Sequence, residues 1–171
     1  FKPPYTAVLI GGNSRTHTMT DTMVEKLIKN LKKIETSLLI TISRRTPEKY
    51  AQKLKDALNS KNIYFWDGLG ENPYFAYLGL AKHIIVTSDS ASMISEAATT
   101  GKPVYIIPME GNSTKFYKFY NGLKDKNIIR DFEGKLENWN YEPLKDSTLV
   151  AEEIKKRLKA KYEADKSKQS L

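Results

Sequence analysis

Apolar positions along this chain fall into two alternating rhythms. Tyr5–Ile10 is a short apolar run, and Gly11-Gly12-Asn13-Ser14 breaks it. Met23, Val24, Leu27, Ile28 and Leu31 then recur at helical spacing. Thr20 is placed to cap that helix, and Asp21 suits its positive end. Leu38–Ile42 reads as a second strand. Thr46-Pro47-Glu48 follows as a cap with proline at the first helical position, and Tyr50, Leu54, Ala57 and Leu58 form that helix's buried face. Ile63–Trp66 is a third strand, and Asn72-Pro73 starts a short helix through Ala81. Ile84–Thr87 is a fourth strand with a helix over Ala91–Thr99, and Pro103–Ile107 is a fifth. Phe116, Phe119, Tyr120 and Leu123 mark another helix. Asp146-Ser147 caps a last one, with Leu149, Val150, Ile154 and Leu158 on its apolar side.

Strands alternating with helices at this spacing imply βαβ units. The expected fold is α/β: a Rossmann-like parallel sheet of at least five strands with helices on both faces. Ile10, Ile42, Trp66, Thr87 and Ile107 should then end neighbouring strands on one edge, outside which ligands of such folds sit. With 171 residues the chain is long enough for one domain with a real core. That domain is expected over residues 1–162, with a polar tail over 163–171.

Composition narrows the partners. The net charge is +8, but residues 23–61 hold ten Lys/Arg against four acids, and residues 151–171 hold seven against four. The excess lies on helical, solvent-facing positions without interleaved aromatics, unlike single-strand nucleic-acid binders. No sequence-specific nucleic-acid binding is expected, and an anionic membrane surface is a candidate peripheral partner. There are no cysteines, which excludes disulfides and thiolate metal sites and fits a reducing, cytoplasmic compartment. No run is long and apolar enough to span a bilayer. His17 and His83 lack a second ligand at metal spacing, so neither a metal nor a cofactor is expected. His17 reads as an ordinary exposed loop histidine near the first glycine loop.

Four loops carry the candidate chemistry. Gly11-Gly12-Asn13-Ser14-Arg15-Thr16 lets backbone approach a ligand and offers groups that bind phosphate; it is neither a dinucleotide fingerprint nor a Walker A loop. Ser43-Arg44-Arg45-Thr46 places two arginines where an NAD site would hold an acid, so it suits phosphate, with one arginine expected to pair with a surface acid. Asp67 to Tyr74 is a turn-rich loop whose backbone could read a base edge, and Trp66 before it reads as a core residue. Ser88-Asp89-Ser90-Ala91-Ser92-Met93 is a hydroxyl-rich turn opening a helix, a ready anion site, with Glu96 one turn further in where a carboxylate could hold a ribose diol.

These loops together, with Gly101-Lys102-Pro103-Val104, Glu110-Gly111, Lys115-Phe116 and Tyr141-Glu142-Pro143-Leu144, resemble the mitochondrial fission ELM (elongated mitochondria) family over nearly the whole chain. Members are about twice as long, and this chain looks like the carboxyl-terminal half. The same half is more distantly similar to the donor domain of GT-B glycosyltransferases. That resemblance implies a nucleotide-sugar ligand, with Glu96 on the ribose and Ser88 to Ser92 facing the diphosphate. It also matches Gly11, Gly12 and Ser14 to the first glycine loop. The candidate nucleotide-binding set is Gly11, Gly12, Asn13, Ser14, Arg15, Arg44, Asp67, Ser88, Asp89, Ser90, Ser92, Met93 and Glu96. No catalytic residue is expected in this half, because the general base of such enzymes usually comes from the other domain. The leading expectation is the nucleotide-sugar-binding half of a GT-B-like glycosyltransferase, partnered by its own N-terminal domain. The alternative is a non-catalytic scaffold that recruits partners at a membrane surface, the outer mitochondrial surface in eukaryotic relatives.

Overall fold

The computed structural model describes residues 1–66, 68–111, 113–145 and 153–159. The order of elements is β1 (Tyr5–Ile10), α1 (Asp21–Leu31), β2 (Ser37–Ile42), α2 (Glu48–Ala57), β3 (Ile63–Phe65), α3 (Tyr74–Leu80), β4 (His83–Thr87), α4 (Ala91–Ala98), β5 (Val104–Ile107), α5 (Thr114–Asp125) and β6 (Ile129–Asp131). Among the described residues six strands form one parallel sheet in the order β3-β2-β1-β4-β5-β6.

The register aligns the carboxyl ends as the sequence predicts. Ile10 pairs with Ile42, Leu9 with Val86, and Thr87 with Ile107. On the third strand the ladder ends one residue early, at Phe65, although the Trp66 N–H still donates to the Ile40 carbonyl at 2.9 Å. Trp66 is only half-buried and its indole N–H donates to the Leu69 carbonyl, so it is a loop residue rather than part of the core.

Strands buried on both faces explain the continuous apolar runs. Val8, Ile10, Leu38, Ile40 and Ile85 face α1 and α2, where they meet Val24, Leu27, Leu31 and Leu54. Ala7, Leu9, Ile84, Val86 and Ile106 face α3, α4 and α5 through Tyr77, Leu78, Ile94, Ala97 and Leu123. On the first face no helix among the described residues covers β5. Instead the irregular segment after β6 folds back, and Trp139 meets Tyr105 edge-on at 5.0 Å while Arg130 lies 4.2 Å over its indole.

Two local expectations change. Thr20 does cap α1, its Oγ1 accepting from the Met23 N–H at 3.3 Å. Thr46 does not cap α2, because its hydroxyl donates to the Gly11 carbonyl at 2.6 Å and accepts from the Ser43 N–H. The last helix is described only over 153–159, where Ile154 and Leu158 are exposed rather than packed. Asp146, Ser147, Leu149, Val150 and the tail 163–171 lie outside the described residues. Among the described residues no helix is long and apolar enough to cross a membrane.

Candidate functional site at the reversal of the sheet

Strand order reverses between β1 and β4, the position outside which open α/β sheets hold ligands at their carboxyl ends. The loop after β1 and the turn after β4 flank it. The turn ends in Ser90, which caps α4 by accepting from the Met93 N–H at 3.3 Å. The Ile94 N–H goes to the Ser90 carbonyl at 3.2 Å. The N–H groups of Ala91 and Ser92 have no acceptor among the described residues, and the helix dipole adds to their attraction for an anion.

Asp89 binds the surrounding loops together. Its side chain is fully buried. One oxygen accepts from the Thr87 hydroxyl at 2.6 Å; the other accepts from the Gly12 N–H at 3.2 Å and from Arg45 Nη2 at 2.7 Å. The Thr87 hydroxyl in turn accepts from the Gly11 N–H at 2.7 Å. Arg45 also donates to the Asn13 carbonyl, and its own carbonyl accepts from the Asn13 N–H at 3.1 Å. Arg45 therefore pairs with a buried acid rather than a surface one. Arg44 is exposed and makes no hydrogen bond or ion pair among the described residues.

This clasp explains both glycines. A Cβ on Gly11 would stand 2.1 Å from the Asp89 carboxylate, and one on Gly12 would stand 2.0 Å from the Arg45 carbonyl oxygen. The Ser14 N–H also turns inward, to the His17 carbonyl at 2.9 Å. Asn13 Oδ1 accepts from the Met19 N–H at 2.8 Å. The groups this loop leaves outward include the exposed side chains of Asn13 and Arg15 and the proton of the Ser14 hydroxyl, whose oxygen accepts from the Thr16 and His17 N–H groups. Ser88 is buried as well, its Oγ accepting from the Met109 N–H and its carbonyl from the Tyr120 hydroxyl.

Glu96 lies on the second turn of α4, half-buried. Its Oε2 accepts from the Tyr74 hydroxyl at 2.5 Å. Tyr74 opens α3, its N–H held by Asn72 Oδ1 at 3.1 Å. Burial, then the bond to Glu96 and its charge, push the Tyr74 phenol far above its usual range. A cavity of about 140 Å³ lies beside it, lined by Ile10, Ile42, Ser43, Asn72, Tyr74 and Met93 among others. Ser92 is exposed, and Asp67 lies outside the described residues.

His17 differs from expectation. It is buried, with its ring edge-on to Phe116 at 4.8 Å and Nδ1 3.0 Å from the Thr16 hydroxyl. Burial lowers its pKa below the usual 6.5, partly opposed by the Asp89 charge. It lines a second cavity of about 180 Å³ beneath α5, with Ser88, Ser113, Tyr117, Lys124 and Asp131. Among the described residues no group of three or more His, Asp or Glu is placed to hold a metal. The residues missing from the sequence expectation are Thr87 and Tyr74. Each sits at a strand end or helix start on the carboxyl edge, and that position was the available signal.

Several known proteins are similar. A protein of Arabidopsis thaliana called "Mitochondrial fission protein ELM1" is 36% identical over 129 residues, 73% of this chain and 30% of that protein. "Uncharacterized protein RP120" of Rickettsia prowazekii is 37% identical over 166 residues, 91% of this chain and 47% of that one. The chain thus spans less than half the length of these curated relatives. Among solved structures, the glycotransferase of kitacinnamycin superposes with a TM-score of 0.48 at 17% identity, covering 78% of this chain and 32% of that chain. The family model described as mitochondrial fission ELM1 matches residues 1–158, and the chain belongs to that family.

Proposed function

We propose that this chain is the nucleotide-sugar-binding half of a GT-B-like glycosyltransferase. The observation that carries this is Glu96, one turn inside a helix whose first N–H groups have no acceptor among the described residues, at the reversal of a parallel sheet. The Ala91 and Ser92 N–H groups would receive the diphosphate, with the Ser90 and Ser92 hydroxyls beside it. Arg15, Arg44 and the Ser14 hydroxyl would add charge and a donor from the neighbouring loops. Glu96 would accept from the ribose hydroxyls in charge-assisted bonds. On this reading an N-terminal domain would face these loops and bring the general base.

A rival has one observation in its favour. The glycine-loop N–H groups of Gly11, Gly12, Asn13 and Ser14 are all used within the protein, so no backbone phosphate donor comes from them. A non-catalytic recruitment protein at a membrane surface needs none.

Calorimetric titration of the full-length protein with nucleoside diphosphates and nucleotide-sugars separates the two. The glycosyltransferase assignment expects binding that Glu96→Gln weakens by about tenfold or more, with little change in melting temperature. No binding at millimolar concentration, or no effect of Glu96→Gln, refutes it and leaves the recruitment protein.

A further inference from the structure

We propose that Tyr74 reads a sugar hydroxyl beside Glu96, so that the ligand class at this site is a ribonucleotide with both ribose hydroxyls free. This rests on the nucleotide assignment of Glu96. The bond between the Tyr74 hydroxyl and Glu96 Oε2 commits the phenol proton to the carboxylate. A hydroxyl that has donated still has lone pairs with which to accept, and donation to a carboxylate makes it a better acceptor. Glu96 Oε1 has no partner among the described residues. The pair therefore offers two different acceptors, a carboxylate oxygen and a phenol oxygen. A cis-diol brings two donors. The high pKa of the Tyr74 phenol keeps its proton in place at neutral pH, so the arrangement does not ionise away.

The position of Tyr74 is fixed from both sides. Asn72 Oδ1 holds its N–H, and Thr41 Oγ1 stands 3.5 Å from the same Asn72 oxygen. The cavity beside the ring leaves the side chain room to adjust to a ligand without disturbing the core. If Tyr74 merely anchored Glu96, its hydroxyl would matter equally for every nucleotide. If it accepts from a ribose hydroxyl, its effect depends on that hydroxyl being there.

A ligand–protein double cycle distinguishes these cases. The full-length protein and its Tyr74→Phe variant, which keeps the ring, are titrated with the tightest-binding nucleoside diphosphate of the panel and with its 2′-deoxy and 3′-deoxy forms. In the wild type each deoxy change is expected to weaken binding by about tenfold. In Tyr74→Phe one of the two losses shrinks to roughly threefold or less while the other is retained. Equal losses in both proteins, or no effect of Tyr74→Phe on any ligand, overturn the Tyr74 assignment and leave the nucleotide site standing if Glu96→Gln still weakens binding. Absence of binding by every nucleotide overturns both.

Discussion

Arg45 and Asp89 meet at 2.7 Å across the loops at the carboxyl edge, the carboxylate fully buried and the arginine side chain 45% exposed. They come from different βα units, 44 residues apart, and Asp89 also takes the Gly12 N–H and the Thr87 hydroxyl. The arrangement of these loops therefore depends on one carboxylate rather than on any single loop.

Asp89→Asn keeps the shape, removes the charge and places an amide donor among other donors. It should destabilise the domain by on the order of 2–4 kcal/mol. Urea unfolding should show a lower midpoint with an unchanged slope. A loss under about 0.5 kcal/mol would mean that the clasp is dispensable.

Glycine-to-alanine changes should divide by location. At Gly12 the added carbon meets backbone, the Arg45 carbonyl, which cannot move aside, and at Gly11 it meets the Asp89 carboxylate. Both should destabilise by roughly 2 kcal/mol or more. Gly122 lies inside α5 with open space around it, so Gly122→Ala should stabilise by about 0.5–1 kcal/mol. Melting temperatures of the three variants check the order.

Acid should weaken the fold through both histidines. Burial depresses His17, opposed by Asp89. Burial also depresses His83, with Lys82 adding to it and the Asn138 bond opposing. The unfolded chain then binds the proton more readily than the folded one, so their contribution is present above about pH 6.5 and is lost as pH falls through the folded values. Urea midpoints from pH 7.5 down to 5 should fall, and His17→Gln and His83→Gln should each flatten the decline. A histidine NMR titration above the usual value at either residue would contradict this.

The basic face should act as charge alone. On α1, Asp21 and Glu25 are matched by Lys49 and Lys53 of α2, while Lys26, Lys29 and Lys32 are exposed without an ion pair among the described residues. Vesicle binding should require anionic lipid and disappear at high salt. Changing the three lysines to glutamine should weaken it by roughly tenfold or more. Duplex DNA should bind weakly, without sequence preference and with a steep salt dependence. Tight, sequence-selective DNA binding would refute this account.

What the sequence made legible follows burial. β1, β2 and β4 lie inside the sheet and announce themselves as mainly apolar runs. β6 reads Ile-Arg-Asp and gives no such signal; its pairing with β5 is what makes it a strand. His17 resembled a surface loop residue because the ring that covers it, Phe116, arrives from α5. Thr46 had the pattern of a cap, but a carbonyl of the neighbouring loop claimed its hydroxyl. Asp89 had the look of a ligand group in a hydroxyl-rich turn. Its partner Gly12 is 77 residues away, and local spacing carries no trace of such a contact. Glu96 was legible as one turn past a cap, whereas Tyr74, from another βα unit, was not.

Both outermost strands of the sheet are only three residues long, and β6 carries Arg130 and Asp131 at its margin. Neither offers the long run of unpaired peptide groups that another chain needs to extend a sheet. The domain is thereby protected against edge-to-edge polymerisation. A second chain would find little strand edge to extend, so variants that block any assembly are expected on helical or loop surfaces and not at the strand margins.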